Sequence, residues 1–135
     1  MTVADTSMLF SLLNQNDPQH ERVVSSVARE RTPIVVPTGV MGELAYLIES
    51  RLGLRTLTAF LIDISSGLFA LDCSPNDFPR VIELVERYRD LPLGYVDASV
   101  IACAERNGGR VLTLDYRHFG IVAREGTITI VPGPE

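Results

Sequence analysis

Apolar positions along the chain follow two periods. Short runs rich in β-branched and small residues predict strands at Thr2–Ala4, Ile34–Val36, Phe69–Leu71, Arg110–Leu114 and Thr127–Val131. Between them, apolar residues recur three and four apart, as on one face of a helix. Asp5-Thr6-Ser7 is a capping triplet for a helix carrying Met8, Leu9, Leu12 and Leu13 that stops near Asn14. Pro18 precedes a helix from His20 to Arg31, with Val23, Val24 and Val27 on its apolar face. Thr38 caps the next, Gly39 to Leu52, whose stripe is Val40, Leu44, Leu47 and Ile48 and whose stop is Gly53. Arg55 to Ser65 follows with Leu57, Phe60, Leu61 and Ile64 inward. A further helix opens at Asn76 or Asp77 and runs through Tyr88, with Val81, Ile82, Leu84 and Val85 inside.

The segment Leu91 to Phe119 organises the rest. Tyr95 to Asn107 is apolar on nearly every side and predicts a core helix; Gly108-Gly109 supply its positive-φ stop. A strand then ends at Asp115, followed by a short turn, Tyr116–Phe119. Strands separated by helices predict an α/β fold with a mostly parallel central sheet covered on both faces. The even apolar content and the length of 135 residues fit one domain, residues 1–135.

That arrangement brings four acids to one rim. Asp5 follows the first strand, and Asp115 follows the strand after the core helix. Glu43 lies in the opening turns of the helix after Ile34–Val36, and Asp97 opens the core helix beside Val100 and Ile101. In a parallel sheet, strand carboxyl ends and the amino ends of the following helices share a face. Each acid alone has an ordinary explanation: a cap for Asp5, a solvated flank for Glu43, a dipole partner for Asp97, a turn for Asp115. Their joint placement does not. Two carboxylates about 4 Å apart repel by roughly 4 kcal/mol at an effective dielectric of 20. A hard divalent ion reverses that balance, and an all-oxygen set suits Mg²⁺ or Mn²⁺. Such a centre suits a hydrolase acting on phosphate esters. The hydroxyls of Thr6 and Ser7 are placed to orient Asp5 or a bound water.

Composition narrows the chemistry further. All twelve basic residues are arginine, which excludes P-loop lysine and Schiff-base mechanisms. Two histidines and no Cys/His cluster make a zinc site a poor fit. Cys73 and Cys103 fall inside element patterns and are expected to be buried thiols of a reducing, cytoplasmic compartment. No run reaches the roughly 18–20 apolar residues of a membrane span, and no secretion signal opens the chain. A net charge of −5 repels nucleic acid unless arginines cluster or metal ions intervene.

Asp5-Thr6-Ser7 after an N-terminal strand, Glu43 in VMGEL, LPLGYVDASVIACA and LTLDYRHF, in that order, resemble the PIN-domain ribonucleases, and within them the VapC-type toxins of toxin–antitoxin pairs. The resemblance covers essentially the whole chain. It implies a three-layer α/β/α sandwich and Mg²⁺- or Mn²⁺-dependent endonucleolytic cleavage of RNA. It also implies a homodimer and inhibition by a cognate antitoxin protein. Carried over by position, it makes Asp5, Glu43, Asp97 and Asp115 the catalytic, metal-binding set, with Thr6 supporting the first aspartate. RNA target and antitoxin identity do not carry over. Competing readings are a metal-dependent small-molecule phosphatase, disfavoured by Ser7 and the missing lysine, and a catalytically silent PIN-fold binding module.

Arg51, Arg55, Arg80, Arg87, Arg89, Arg117 and Arg124 are candidates for a phosphate-binding rim, against a solvated helix face for Arg80, Arg87 and Arg89. Arg117 and His118, beside Asp115, are the preferred substrate contacts. The apolar positions Leu54, Leu57 and Phe60 nominate the Glu43–Ser65 helices as part of a dimer or antitoxin surface.

Overall fold

The computed structural model describes residues 1–134. Five short strands, β1 (Thr2–Ala4), β2 (Ile34–Pro37), β3 (Phe69–Asp72), β4 (Arg110–Leu112) and β5 (Thr129–Val131), form one sheet. Its order is β3-β2-β1-β4-β5 and every neighbouring pair is parallel. Val3 sits opposite both Val35 and Val111, and all of β1 and β2 is buried. Unbroken aliphatic runs are what a strand covered on both faces requires.

Seven α-helices connect the strands among the described residues: α1 (Thr6–Leu13), α2 (His20–Ala28), α3 (Thr38–Leu52), α4 (Leu54–Ser65), α5 (Phe78–Arg87), α6 (Gly94–Arg106) and α7 (Tyr116–Ala123). The chain steps outward from β1 to β2 to β3, then returns to lay β4 on the other side of β1. Right-handed crossovers therefore put α1–α4 on one face and α5–α7 on the other, which makes three layers. The reversal leaves a crevice at the carboxyl ends of β1 and β4, where open α/β sheets bind ligands. Helix α6 is the core helix: Ala98 and Val100 to Ala104 are all buried.

Two glycines set distances that the site depends on. Gly109, at φ 91°, would put a Cβ 2.8 Å from the Thr127 carbonyl, so β4 can begin only with a glycine there. Gly39, in the first turn of α3, faces α6; a Cβ there would lie 2.8 Å from the Ser99 Cβ. The amino ends of α3 and α6 are thereby held in close contact over the carboxyl rim.

Several sequence expectations need correction. The Tyr116–Phe119 turn is the start of an eight-residue helix, because Asp115 caps it and Phe119 and Val122 bury one turn face. Helix α2 ends at Ala28 rather than Arg31. Thr38 is the first residue of α3 and not its cap; Pro37 holds that position without a side-chain bond. Ile82 and Val24 are exposed, since α5 and α2 each have only one neighbour layer. Cys73 is exposed beyond the edge strand β3, and only Cys103 is buried. Phe60 is wholly buried and cannot serve a surface; the exposed apolar side chains of α3 and α4 are Tyr46, Leu54, Leu61 and Ile62.

Candidate metal centre

Asp5 has two tasks at the end of β1. Its backbone leaves the strand in extended geometry and its carboxylate accepts the Met8 N–H at 2.9 Å, which starts α1. The same carboxylate accepts the Ser7 hydroxyl at 2.9 and 3.0 Å and the Thr113 hydroxyl at 2.5 Å. With 3% of its surface exposed, Asp5 has one orientation only. Thr113, wholly buried just past β4, also accepts the Asp115 N–H at 2.9 Å. A single threonine thus ties together the two strand-end aspartates.

Asp115 caps α7 through the His118 N–H at 3.0 Å and accepts His118 Nδ1 at 2.7 Å. That contact puts the proton on Nδ1, and the same nitrogen lies 4.0 Å from Asp97 Oδ2. Asp97, in the first turn of α6, and exposed Glu43, in the second turn of α3, reach the same hollow. Asp5, Glu43, Asp97 and Asp115 all line it, with Thr6, Ser7, Phe10 and Leu47, around a space of about 270 Å³. The four acids predicted to meet are together.

The hollow is costly as it stands. Burial pushes the Asp5 carboxyl up to about 6, against the lowering bonds from Thr113, Met8 and Ser7; the charge of Asp115 raises it further. Burial, then the charges of Asp5 and Asp115, raise Asp97 to about 7, with His118 acting in the opposite sense. A cation removes both penalties. Thr6 lines the hollow, and its buried Oγ1 has no hydrogen-bond partner among the described residues. Oxygen donors in this number fit Mg²⁺ or Mn²⁺. Ligand atoms of Asp97, Asp115 and His118 also lie within 4.8 Å of one another, a tighter group that adds one nitrogen.

Thr6 is expected to support Asp5, but its hydroxyl makes no hydrogen bond among the described residues; Ser7 and Thr113 do the supporting. Thr113 is the residue that sequence reasoning missed. The available signal was one hydroxyl in the otherwise aliphatic run from Val111 to Leu114. Leu47, expected on the apolar stripe of α3, and Phe10 form the apolar wall.

The arginines divide. Arg80 and Arg87 belong to an ion network with Glu83, Glu105 and Glu125, so they are not a rim for phosphates. Arg51 sits over the Phe10 ring, 5.9 Å from its centre, at the edge of the acidic hollow. Arg117, exposed in the first turn of α7, makes no ion pair among the described residues.

The PIN domain family model matches residues 2–125. Ribonuclease VapC26 of Mycobacterium tuberculosis (strain ATCC 25618 / H37Rv) is 30% identical over 134 residues, 96% of this chain and 99% of that protein. Among solved structures, Mycobacterium tuberculosis VapC20, described as a sarcin–ricin-loop-cleaving toxin, matches with a TM-score of 0.77 at 21% identity, over 89% of this chain and 95% of that one. VapBC2 from Rickettsia felis, bound to a DNA fragment from its promoter, matches with a TM-score of 0.69 at 15% identity, over 96% of both chains.

Proposed function

The chain belongs to the PIN-domain family, in its VapC-type branch, and from that premise we propose that it is a divalent-metal-dependent endoribonuclease, the toxin of a toxin–antitoxin pair. The carrying observation is the meeting of Asp5, Glu43, Asp97 and Asp115 around one hollow at the reversal of the sheet. Asp5, Asp97 and Asp115 would hold Mg²⁺ or Mn²⁺, with Glu43 reaching in from α3. When bound, the ion lowers the pKa of an attacking water and neutralises charge on the scissile phosphate.

The protein's own groups do the positioning. Asp5 is fixed by three donors, so the cation position is set before substrate arrives. Thr6 lines the hollow, but its hydroxyl oxygen is buried and without a hydrogen-bond partner among the described residues. His118 has its Nδ1 committed to Asp115, which leaves Nε2 as the nitrogen able to exchange a proton with substrate. Arg117, two residues past Asp115, and Arg51, over the Phe10 ring, supply positive charge near the hollow, which an acidic chain needs to hold RNA.

As a toxin, the chain takes a cognate antitoxin and pairs with a second copy, acting in the cytoplasm. No helix among the described residues is long and apolar enough to cross a membrane. The test is incubation of the purified chain with total RNA in Mg²⁺ and in EDTA, with the cut ends sequenced. Defined ends in Mg²⁺ alone, absent with Asp5→Asn, are expected. Ends that persist in EDTA, or an active and folded Asp5→Asn chain, overturn the reading.

A further inference from the structure

On the other side of the α6 amino end lies a second, larger hollow of about 350 Å³. Resting on the nuclease reading above, we propose that it receives one unpaired nucleobase of the RNA, next to the nucleotide whose phosphate lies at the acids. The same two helices wall both hollows: α3 gives Gly39 to this one and Glu43 to the acidic one, and α6 gives Tyr95 and Ser99 to this one and Asp97 to the other. Residues 95 and 97 are about 200° apart around a helix, so α6 is the ridge between them. An RNA strand crossing that ridge with a phosphate at Asp97 presents a neighbouring base to Tyr95.

The lining suits a base. Phe78 and Tyr95 form an offset stack, ring centres 6.4 Å apart and planes 21° from parallel, and each is 50% exposed. Two half-exposed aromatic rings at a concave site offer a π surface that any base can use. Val81 and Cys73 complete the apolar wall, while the carboxylates of Asp72 and Asp77 stand at its polar edge. Both carboxylates are already paired with Arg106, at 2.5 Å and 2.9 Å, so they neither repel RNA as free charges nor need a cation. A carboxylate has about four acceptor sites, and each retains some for N–H donors. Guanine, which carries adjacent N–H donors on one edge, fits that pair best.

The hollow is tested by filling it. Cys73 is exposed, so Cys73→Phe blocks the space without disturbing the core; Phe78→Ala removes the platform instead. Both variants and the unaltered chain are assayed in Mg²⁺ on total RNA, with the ends sequenced, and sized by light scattering. Expected is a base preference, guanine first, at a fixed offset from the cut. Both variants should lose it, cutting the preferred oligonucleotide about tenfold more slowly, the scale of one lost base stack. A variant pattern and rate equal to those of the unaltered chain overturn the proposal. So does a change from dimer to monomer with the base preference intact, which assigns the hollow to a second copy. If the unaltered chain cuts no RNA, the nuclease reading fails; ultraviolet crosslinking to an RNA pool in EDTA then decides the hollow separately. Adducts on the peptides holding Phe78, Tyr95 or Cys73 support it, and adducts only elsewhere overturn it.

Discussion

At the residue scale, Asp5 shows why capping and metal binding are not rival explanations. The sequence pattern of strand, acid and two hydroxyls marks a helix start, and the structure uses that start to aim a carboxylate. What the sequence did not reveal is the partner, because Thr113 meets Asp5 across 108 residues of chain. Its bond is the largest of those that lower the Asp5 pKa. Thr113→Val removes that donor and leaves the Asp115 N–H without an acceptor. The expected destabilisation is about 1–3 kcal/mol, the usual cost of a buried unpaired polar group. The Mg²⁺ concentration for half-maximal RNA cleavage should rise about 10–100-fold, as for other groups that orient metal ligands. Thr113→Ser should recover most of both. A Mg²⁺ titration of cleavage and a denaturant melt check this; unchanged metal dependence in Thr113→Val would deny the residue its role.

At the element scale, the amphipathic pattern identifies six of the seven helices but not every exposed face. The stripe Val81, Ile82, Leu84, Val85 reads as uniformly inward; yet Val81 and Leu84 are buried while Ile82 turns to solvent. Adjacent apolar residues on a helix cannot all face one neighbour, and sequence alone does not say which one wins. Helix α7 reads as a turn in the sequence because Asp115 stands before Tyr116-Arg117-His118, although five of its eight residues are apolar. Its stability comes from the Asp115 cap and from Phe119 inserted into the core. The α3–α6 contact was also invisible, since Gly39 resembles any helix-start glycine until Ser99 is seen against it. Helix propensity alone favours alanine over glycine by up to about 1 kcal/mol. Overpacking costs about 1–3 kcal/mol and should win here, because the Ser99 Cβ cannot swing away. Gly39→Ala should therefore melt lower and, by spreading Glu43 from Asp97, cleave RNA more slowly. Adding Ser99→Gly should restore part of both, a coupling readable in a double-mutant cycle. A Gly39→Ala chain as stable and active as the original would show that the Gly39–Ser99 contact sets neither stability nor activity.

At the scale of the whole molecule, the order of strands explains why the acids meet and why their hollow suits a cation. A parallel sheet gathers carboxyl ends on one edge, and the reversal between β1 and β4 leaves that edge open where Asp5 and Asp115 emerge. The alternation of strands and helices made this much legible in advance; the hydrogen-bond partners and the second hollow depend on side-chain directions that it does not encode. Folding then confines Asp5, Asp97, Asp115 and Glu43 with His118 in one space. Asp5 at about 6 and Asp97 at about 7 both stand above their ordinary value of 3.8. A raised carboxyl favours the folded state while protonated, so its contribution is fully present below about pH 4. It is lost as pH climbs through about 6 to 7. For Asp5 alone the shift corresponds to about 3 kcal/mol at most. Metal ions need the deprotonated acids and compete with those protons. The metal-free chain should thus melt progressively lower between about pH 4 and about pH 7, while millimolar Mg²⁺ should hold it more nearly level where the acids are deprotonated. The rise in Tm on adding Mg²⁺ should be smallest at the acid end and largest at the alkaline end. Scanning calorimetry at three pH values, with Mg²⁺ or EDTA, measures it. Asp97→Asn should melt with a weaker pH dependence and respond less to the ion. A Tm shift of equal size at every pH would mean that Mg²⁺ binds somewhere other than these acids.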